Sequence, residues 1–201
     1  MRIIRISSKD EVYSYWLKSE WWSKIRTHYP LDFQSKAQGM VDNPNLDDSA
    51  ENRCRENILY GYRSGILRQL PSDTMWQLAE IDNQDLPFIY IIPAEDWFED
   101  TGRTFKLLDT KVSLRTDGSH FDQVSKVIDH LREKRLDHEK LILIGSESTY
   151  TIIDGTHRAS ALVRSDSPLP WKAFLGKSPN MNNCCWHIES DMAKKQIRKI
   201  P

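Results

Sequence analysis

The segment Asp154-Gly155-Thr156-His157-Arg158 carries the residue types of a phosphate-binding turn. Gly155 permits a backbone geometry that other residues resist, and Thr156 is a residue type that caps helix N-termini. A helix that begins here would direct its first backbone N–H groups and the positive end of its dipole at an anion. His157 and Arg158 add side-chain donors, and a guanidinium can bind two phosphate oxygens at once. The segment therefore predicts an anion site at a strand-to-helix turn.

The elements beside this turn follow from hydrophobic patterning. Residues 141–145 (LILIG) and 149–154 (TYTIID) predict two strands, joined as a hairpin by the polar residues SES. A helix of about eight residues is predicted to begin at His157. After a turn bracketed by two prolines, residues 171–176 (WKAFLG) predict a last strand.

Upstream of the hairpin, residues 75–81 and 88–92 (FIYII) predict two more strands, and residues 103–114 predict a strand pair or a bent strand. An amphipathic helix follows, because four apolar residues recur at helical spacing. These are Phe121, Val124, Ile128 and Leu131.

The first third of the chain is predicted to be helical. Ser8 and Glu11 have the spacing of a capping box, so a helix begins at Ser8. Residues 39–48 are rich in turn-forming and acidic residues and predict a loop. A second helix over residues 49–70 has apolar or thiol side chains every fourth position: Cys54, Ile58, Tyr62, Ile66 and Leu70. Its arginines are predicted to face outward, where they either recognise an acidic substrate or are solvated: Arg53, Arg55 and Arg63.

We predict two parts in the chain, a helical extension (residues 1–75) and an α+β core (residues 76–201). The extension is too small and too rich in tryptophan to be a free-standing domain, so we expect it to pack on the core. Four of the seven tryptophans precede residue 80 and are predicted to be packing anchors: Trp16, Trp21, Trp22 and Trp76.

Composition narrows the possible classes of protein. Hydrophobic residues make up 39% and charged residues 28% of the chain, which favours a folded core over disorder. The formal net charge of −1 offers no field that would attract nucleic acid or an anionic membrane. Three cysteines do not make a disulfide framework. The first residues contain no stretch of signal-peptide type, and no segment approaches the roughly 18 apolar residues of a membrane span. We therefore predict a cytoplasmic protein.

The order of these elements, with the strings LILIG, YTIIDG and DGTHR, resembles the ParB/sulfiredoxin-like superfamily. The resemblance covers residues 88–176 and implies an α+β fold with a small mixed sheet and flanking helices. In these relatives the turn binds nucleotide phosphates, and the resemblance implies that role for the same five residues here, Asp154 to Arg158.

Departures from the family pattern discriminate among its branches. Thr156 stands where sulfiredoxins keep a reactive cysteine, so repair of peroxiredoxins is not expected. The 43 residues after Arg158 leave no room for the helix-turn-helix region of a partition protein. The acidic form of the turn, DGTHR, is shared with the branch that resembles free-amino-acid kinases.

That branch implies carboxylates at the site, because a phosphotransferase must hold metal-bound phosphates and orient a hydroxyl. Asp154 is the candidate catalytic base or Mg²⁺ ligand, and capping the turn is its alternative role. The resemblance also implies an acidic residue after the first core strand, where four carboxylates stand: Glu95, Asp96, Glu99 and Asp100. We predict that Glu95 is catalytic, with an acidic solvated loop as the competing interpretation.

The resulting hypothesis is a Mg²⁺-dependent phosphotransferase that uses ATP or ADP and acts on a small hydroxyl-bearing metabolite. A nucleotide-dependent switch, driven by CTP or ATP and binding a protein partner, is the alternative from another class. A ParB-like nuclease or DNA-associated protein is a third, but it requires a basic groove that the charge balance disfavours. The expected partners are thus a nucleotide and a small molecule, with no membrane or nucleic acid.

Overall fold

The computed structural model describes residues 1–133 and 140–200 and has an α+β fold, as predicted. The strands are β1 (Arg2–Ser7), β2 (Met75–Ile81), β3 (Ile89–Ile91), β4 (Leu141–Gly145), β5 (Tyr150–Asp154) and β6 (Trp171–Lys177). The α-helices are α1 (Lys9–Glu20), α2 (Leu31–Asp42), α3 (Ser49–Leu67), α4 (Thr110–Ser113), α5 (Ser119–Arg132), α6 (Thr156–Arg164) and α7 (Asp191–Ile197). Among the described residues, no helix is long and apolar enough to cross a membrane.

The described strands form one mixed sheet in the order β1-β2-β6-β4-β5-β3. β6 pairs antiparallel with β2 and parallel with β4, β4 pairs antiparallel with β5, and β3 pairs parallel with β5. The carboxyl ends of two adjacent parallel strands meet at the same edge of a sheet. The chain segments that follow β3 and β5 therefore leave the sheet side by side.

The predicted hairpin of β4 and β5 is confirmed. Gly145 pairs with Tyr150, and the intervening turn is closed by a hydrogen bond from Ser146 N to Thr149 O (3.1 Å). Near its other end the register shifts, because Ile142 pairs with Asp154 while the next residue, Leu143, pairs with Ile152. One extra residue of β5 is thus bulged out directly before the predicted phosphate turn, and such a bulge re-aims the side chains that follow it.

One apolar cluster joins the central strands to α5 and α6. Val124 of the predicted amphipathic helix α5 and Ala159 and Ala161 of α6 are buried in it. The small alanines let α6 approach the strands closely, and α5 packs against α6. All residues of β4 and β5 are buried, so both faces of these strands are covered. This explains why β4 is a continuous apolar run instead of an alternating one.

Residues 103–114 do not form the predicted strands. They contain a 3₁₀ helix (Leu107–Asp109) and α4, and Lys106 makes only an isolated bridge with Tyr90. The physical reason lies at the start of the segment, where Arg103 and Phe105 have positive φ angles of 69° and 57°. A strand cannot contain such residues.

The chain divides into two compact units, one of residues 1–6 with 69–201 and one of residues 7–68. The first contains the sheet, including most of β1, a strand that the sequence patterns did not predict. The second is helical. There Ser8 caps α1 by accepting a hydrogen bond from Glu11 N (3.1 Å), as its capping-box position predicts.

Two predictions in the helical unit are confirmed only in part. Residues 43–48 form a loop as predicted, but residues 39–42 belong to α2, which extends to Asp42. On α3, Ile58 and Ile66 are buried as predicted, but Leu59 and Leu67 are buried as well, while Cys54 and Tyr62 are only partly so. The apolar residues of α3 fall on two neighbouring stripes of the helix, so the sequence alone does not determine which stripe is buried.

Arg55, predicted to face outward, is 1% exposed. Its guanidinium donates to the Glu51 carboxylate and to Asn52 Oδ1, and to the carbonyl oxygens of Met40 (3.3 Å) and Asn45 (3.1 Å). The side chain therefore ties the end of α2 and the following loop to α3. A buried arginine with this many acceptors is a structural group and is not available to a substrate.

We expect Arg55→Ala to lower the free energy of unfolding by about 3 kcal/mol, because the buried side chain is lost and a part-buried carboxylate and two part-buried carbonyl groups lose their donor. Arg53→Ala is the matched control, since Arg53 lies two residues away on the exposed face of the same helix. Urea unfolding followed by tryptophan fluorescence measures both. Equal effects of the two substitutions would contradict a structural role for Arg55.

Candidate functional site

The helix at the predicted phosphate turn begins at Thr156, one residue earlier than the sequence suggested. Gly155 occupies the N-cap position of α6 with a φ of +87°, and Thr156 is already the first helical residue. The prediction that Thr156 caps this helix is therefore wrong; the left-handed glycine turns the chain directly from β5 into α6. The first intrahelical bond runs from Ala159 N to Gly155 O (2.8 Å), so the amides before it lie at the open end of the helix.

Asp154 and Arg158 form a nearly buried ion pair across this turn. Arg158 Nη2 lies 3.3 Å from Asp154 Oδ2, and the two side chains are 11% and 8% exposed. The guanidinium lies over Gly155, where an added Cβ would approach Arg158 Nη2 to 2.7 Å and Leu141 Cδ2 to 2.9 Å. Asp154 thus fixes the arginine beside the open end of the helix, and only glycine fits beneath it.

The segment after β3 folds back against this turn. It forms two 3₁₀ helices, Glu95–Trp97 and Glu99–Thr101, and the Trp97 ring packs against His157 with 5.1 Å between ring centroids. The buried Thr101 hydroxyl donates to Trp97 O (2.9 Å) and accepts from Phe105 N (3.0 Å), so it holds this segment in shape. The two loops at the carboxyl ends of β3 and β5 are therefore in direct contact.

A histidine from a third element completes the cluster. His120, in the first turn of α5, places Nδ1 2.8 Å from Asp100 Oδ2 and Nε2 3.4 Å from Asp96 Oδ2. Asp100 is itself buried and accepts a further bond from Arg115 N (3.1 Å). The imidazole therefore lies between two carboxylates of the loop that follows β3.

Trp97 and His157 enclose the same imidazole from other sides. The rings of His120 and Trp97 are stacked, with centroids 3.9 Å apart and an interplanar angle of 10°, and the His157 ring approaches edge-on at 5.1 Å. A cationic imidazole is attracted to the face of an indole ring. We call these five side chains, Asp96, Trp97, Asp100, His120 and His157, the histidine cluster.

The carboxylates favour the charged form of His120. The Asp96 carboxylate, as acceptor of the Nε2 proton, raises the pKa of His120 most, and Asp100 adds to this effect, while burial acts in the opposite direction. In return, His120 lowers the pKa of Asp96. The loop after β3 therefore favours a charged imidazole beside the first turn of α6, flanked by two carboxylates.

The structure brings together five of the six predicted site residues, because all five lie on one turn: Asp154, Gly155, Thr156, His157 and Arg158. Glu95, the predicted catalytic carboxylate, lies on the adjoining loop but is exposed; the carboxylates that contact His120 are Asp96 and Asp100. The sequence patterns did not identify His120 or Trp97. The sequence offers one indication of His120, its position directly after the Gly-Ser pair that begins a helix. The carboxylates that contact it, Asp100 and Asp96, lie 20 and 24 residues earlier in the chain.

The implied Mg²⁺ has one candidate protein ligand in the turn, Asp154. Within residues 1–133 and 140–200, no group of three or more histidine, cysteine or carboxylate side chains could hold a metal ion. This donor set suits Mg²⁺, which commonly takes one or two carboxylates and completes its shell with phosphate oxygens and water. Arg158 would then share Asp154 with the ion.

Gly155→Ala is expected to lower the free energy of unfolding by about 2 kcal/mol, because alanine must adopt a left-handed backbone and press on the Arg158 guanidinium. Gly39→Ala is a contrasting control; no atom lies within 4 Å of a Cβ built there on α2, and it should stabilise the fold by about 0.5–1 kcal/mol. Thermal and urea unfolding of the two variants test this difference in sign.

The His120 contacts should make stability depend on pH. A raised pKa contributes stability that is complete below the ordinary value of 6.5 and is lost as the pH rises through the folded-state pKa. The lowered pKa of Asp96 contributes above its ordinary value of 3.8 and is lost as the pH falls through the folded-state value. We therefore expect the difference in free energy of unfolding between wild type and His120→Asn to be largest between pH 3.8 and pH 6.5 and to shrink above pH 6.5.

Urea midpoints measured across this pH range test the expectation. His130→Asn, on the exposed side of α5, is the matched control for loss of an imidazole. A His120→Asn effect that does not change with pH would show that the contacts are those of a neutral ring.

Comparison with known proteins finds no matching family model, no similar curated protein and no similar solved structure. What the site can bind therefore follows from its own groups: a helix N-terminus, a guanidinium and an imidazole whose pKa is raised by the carboxylates beside it.

Proposed function

We propose that this protein binds a nucleotide through its phosphates at the turn of residues 154–158 and transfers a phosphoryl group to a small hydroxyl-bearing metabolite. The proposal includes a ParB/sulfiredoxin-like arrangement of the core, which the resemblance of the LILIG, YTIIDG and DGTHR strings supports. ATP or ADP is the donor, and Mg²⁺ accompanies its phosphates.

The observation that supports this proposal best is the contact between Trp97 and His157. It places a carboxylate-rich loop directly beside the open end of α6. A phosphotransferase needs these two features together, since donors must hold the phosphates while a carboxylate orients the attacking hydroxyl. Ligands in sheets of this kind also bind outside the carboxyl ends of parallel strands.

Each protein group has a defined task in the proposed reaction. The first amides of α6 and the Arg158 guanidinium bind the phosphates, and Asp154 positions Arg158. Bound Mg²⁺, held by Asp154 and the phosphates, would neutralise negative charge on the donor.

Glu95, exposed on the adjoining loop, accepts the proton of the acceptor hydroxyl. The hydroxyl oxygen then bonds to the terminal phosphorus. The bond from that phosphorus to its bridging oxygen breaks, and the electron pair leaves with the shortened nucleotide.

Calorimetric titration with ATP, ADP and CTP, each with Mg²⁺, tests the binding step. Arg158→Lys should weaken nucleotide binding by about tenfold, because lysine keeps the charge but loses the two-pronged contact. This variant is preferable to Arg158→Ala, which removes the guanidinium that contacts the buried Asp154 carboxylate. Arg132→Ala is the control, since the Arg132 side chain is 76% exposed on α5.

Turnover tests the transfer step. With a panel of hydroxyl-bearing metabolites, Glu95→Gln should abolish transfer and leave nucleotide affinity unchanged. Absence of binding by every nucleotide would contradict the whole proposal. Binding without transfer to any acceptor would contradict the transferase and leave a nucleotide-dependent switch.

A further inference from the structure

The two carboxylates that contact His120 differ in how firmly they are held. The Asp100 side chain is 3% exposed, lies 2.8 Å from Nδ1 and also accepts from Arg115 N. The Asp96 side chain is 64% exposed and lies 3.4 Å from Nε2. Asp100 is therefore a fixed partner of the imidazole, whereas the Asp96 side chain is largely exposed and can rotate away from Nε2 into solvent.

The His120 ring lies beside the turn where the proposed ligand binds. His157, in the first turn of α6, contacts the His120 ring, and Trp97 is stacked on it and touches His157 as well. The stacking and the Asp100 bond leave the ring little rotational freedom. An oxyanion, the Asp96 carboxylate, already occupies its Nε2 edge.

We propose that His120 Nε2 is a donor to the phosphate of the bound ligand, and that Asp96 occupies this donor as an internal competitor until the phosphate displaces it. This inference rests on the proposed function, because the phosphate is the one bound at the turn of residues 154–158. It assigns His120 as a phosphate-binding residue and Asp96 as a group that weakens binding.

The charges around His120 are consistent with this exchange. Asp100 and Asp96 approach it from the loop after β3, Arg115 pairs with Asp100 from the segment before α5, and His157 faces it from α6. With Asp100 still in contact with Nδ1 and a phosphate in place of Asp96 at Nε2, an anion faces each ring nitrogen, and this arrangement favours the charged imidazole.

The competition gives opposite effects for two neighbouring substitutions. His120→Asn should weaken binding of ADP with Mg²⁺ by about tenfold, since a charged donor to the phosphate is lost. Asp96→Asn should strengthen binding by about threefold or more, since the competing carboxylate is removed. If Asp96 were a structural support of the site, its substitution would weaken binding, so the sign of the change decides between the two roles.

Calorimetry with ADP and with inorganic phosphate, at pH 6 and at pH 8.5, is the test. The ratio of wild-type affinity to His120→Asn affinity should fall at the higher pH, where the imidazole loses its proton. The phosphate also changes its protonation over this range, but this affects both proteins equally and does not change the ratio. Glu99→Gln, in the same loop, controls for the loss of one negative charge, because Glu99 pairs with Arg103 instead of His120.

The outcomes separate this inference from the proposed function. Suppose that wild type binds ADP and that Arg158→Lys weakens this binding, but that Asp96→Asn raises the affinity no more than Glu99→Gln does. That result overturns the exchange and leaves the nucleotide site intact. A His120→Asn variant that binds as tightly as wild type at both pH values also overturns it. No binding of ADP or phosphate by wild type overturns the proposed function instead.

Discussion

The parallel pairing of β3 with β5 is the constraint on which the site depends. Ile89 and Ile91 pair with Tyr150 and Ile152, so two segments far apart in the chain must leave the sheet at the same edge. One becomes the turn that starts α6 and the other the acidic loop. The apolar cluster under α5 and α6 then sets the distance between them. Without this pairing, the loop that carries Asp96 and Asp100 would not lie beside the N-terminus of α6.

Sequence patterns predicted the elements with strong local signals. The hairpin, the amphipathic helix α5 and the capping box at Ser8 all depend on residues close in sequence, and all three are confirmed. β1 and α2 were missed, and residues 103–114 were assigned to the wrong class. In that segment Arg103 and Phe105 have positive φ angles and Phe105 N donates to the Thr101 hydroxyl, a turn that hydrophobic periodicity does not record.

The residues of the candidate site also divide into those that a local sequence pattern could identify and those that it could not. Residues 154–158 could be identified because a short string encodes a strand end, a left-handed glycine and a helix start. His120 could not, because its partners come from another loop and its burial depends on the packing of α5 on α6. Arg55 makes the same point in the helical unit, since helical periodicity distinguishes apolar from polar faces but does not reveal a buried cation.

The acidic loop has a second consequence for the molecule. β3 is an edge strand of only three residues, and the chain beyond the loop returns to cover part of it: Ile91 N donates to Phe105 O (2.7 Å), and Tyr90 bridges to Lys106. Open sheet edges are templates for pairing with other chains. The segment that carries Asp96 and Asp100 therefore also protects this edge, so that a deletion which shortened it would expose the sheet to self-association as well as remove the ligand contacts. Protection against misassembly and the chemistry of the site are thus encoded in the same 15 residues, Pro93 to Leu107.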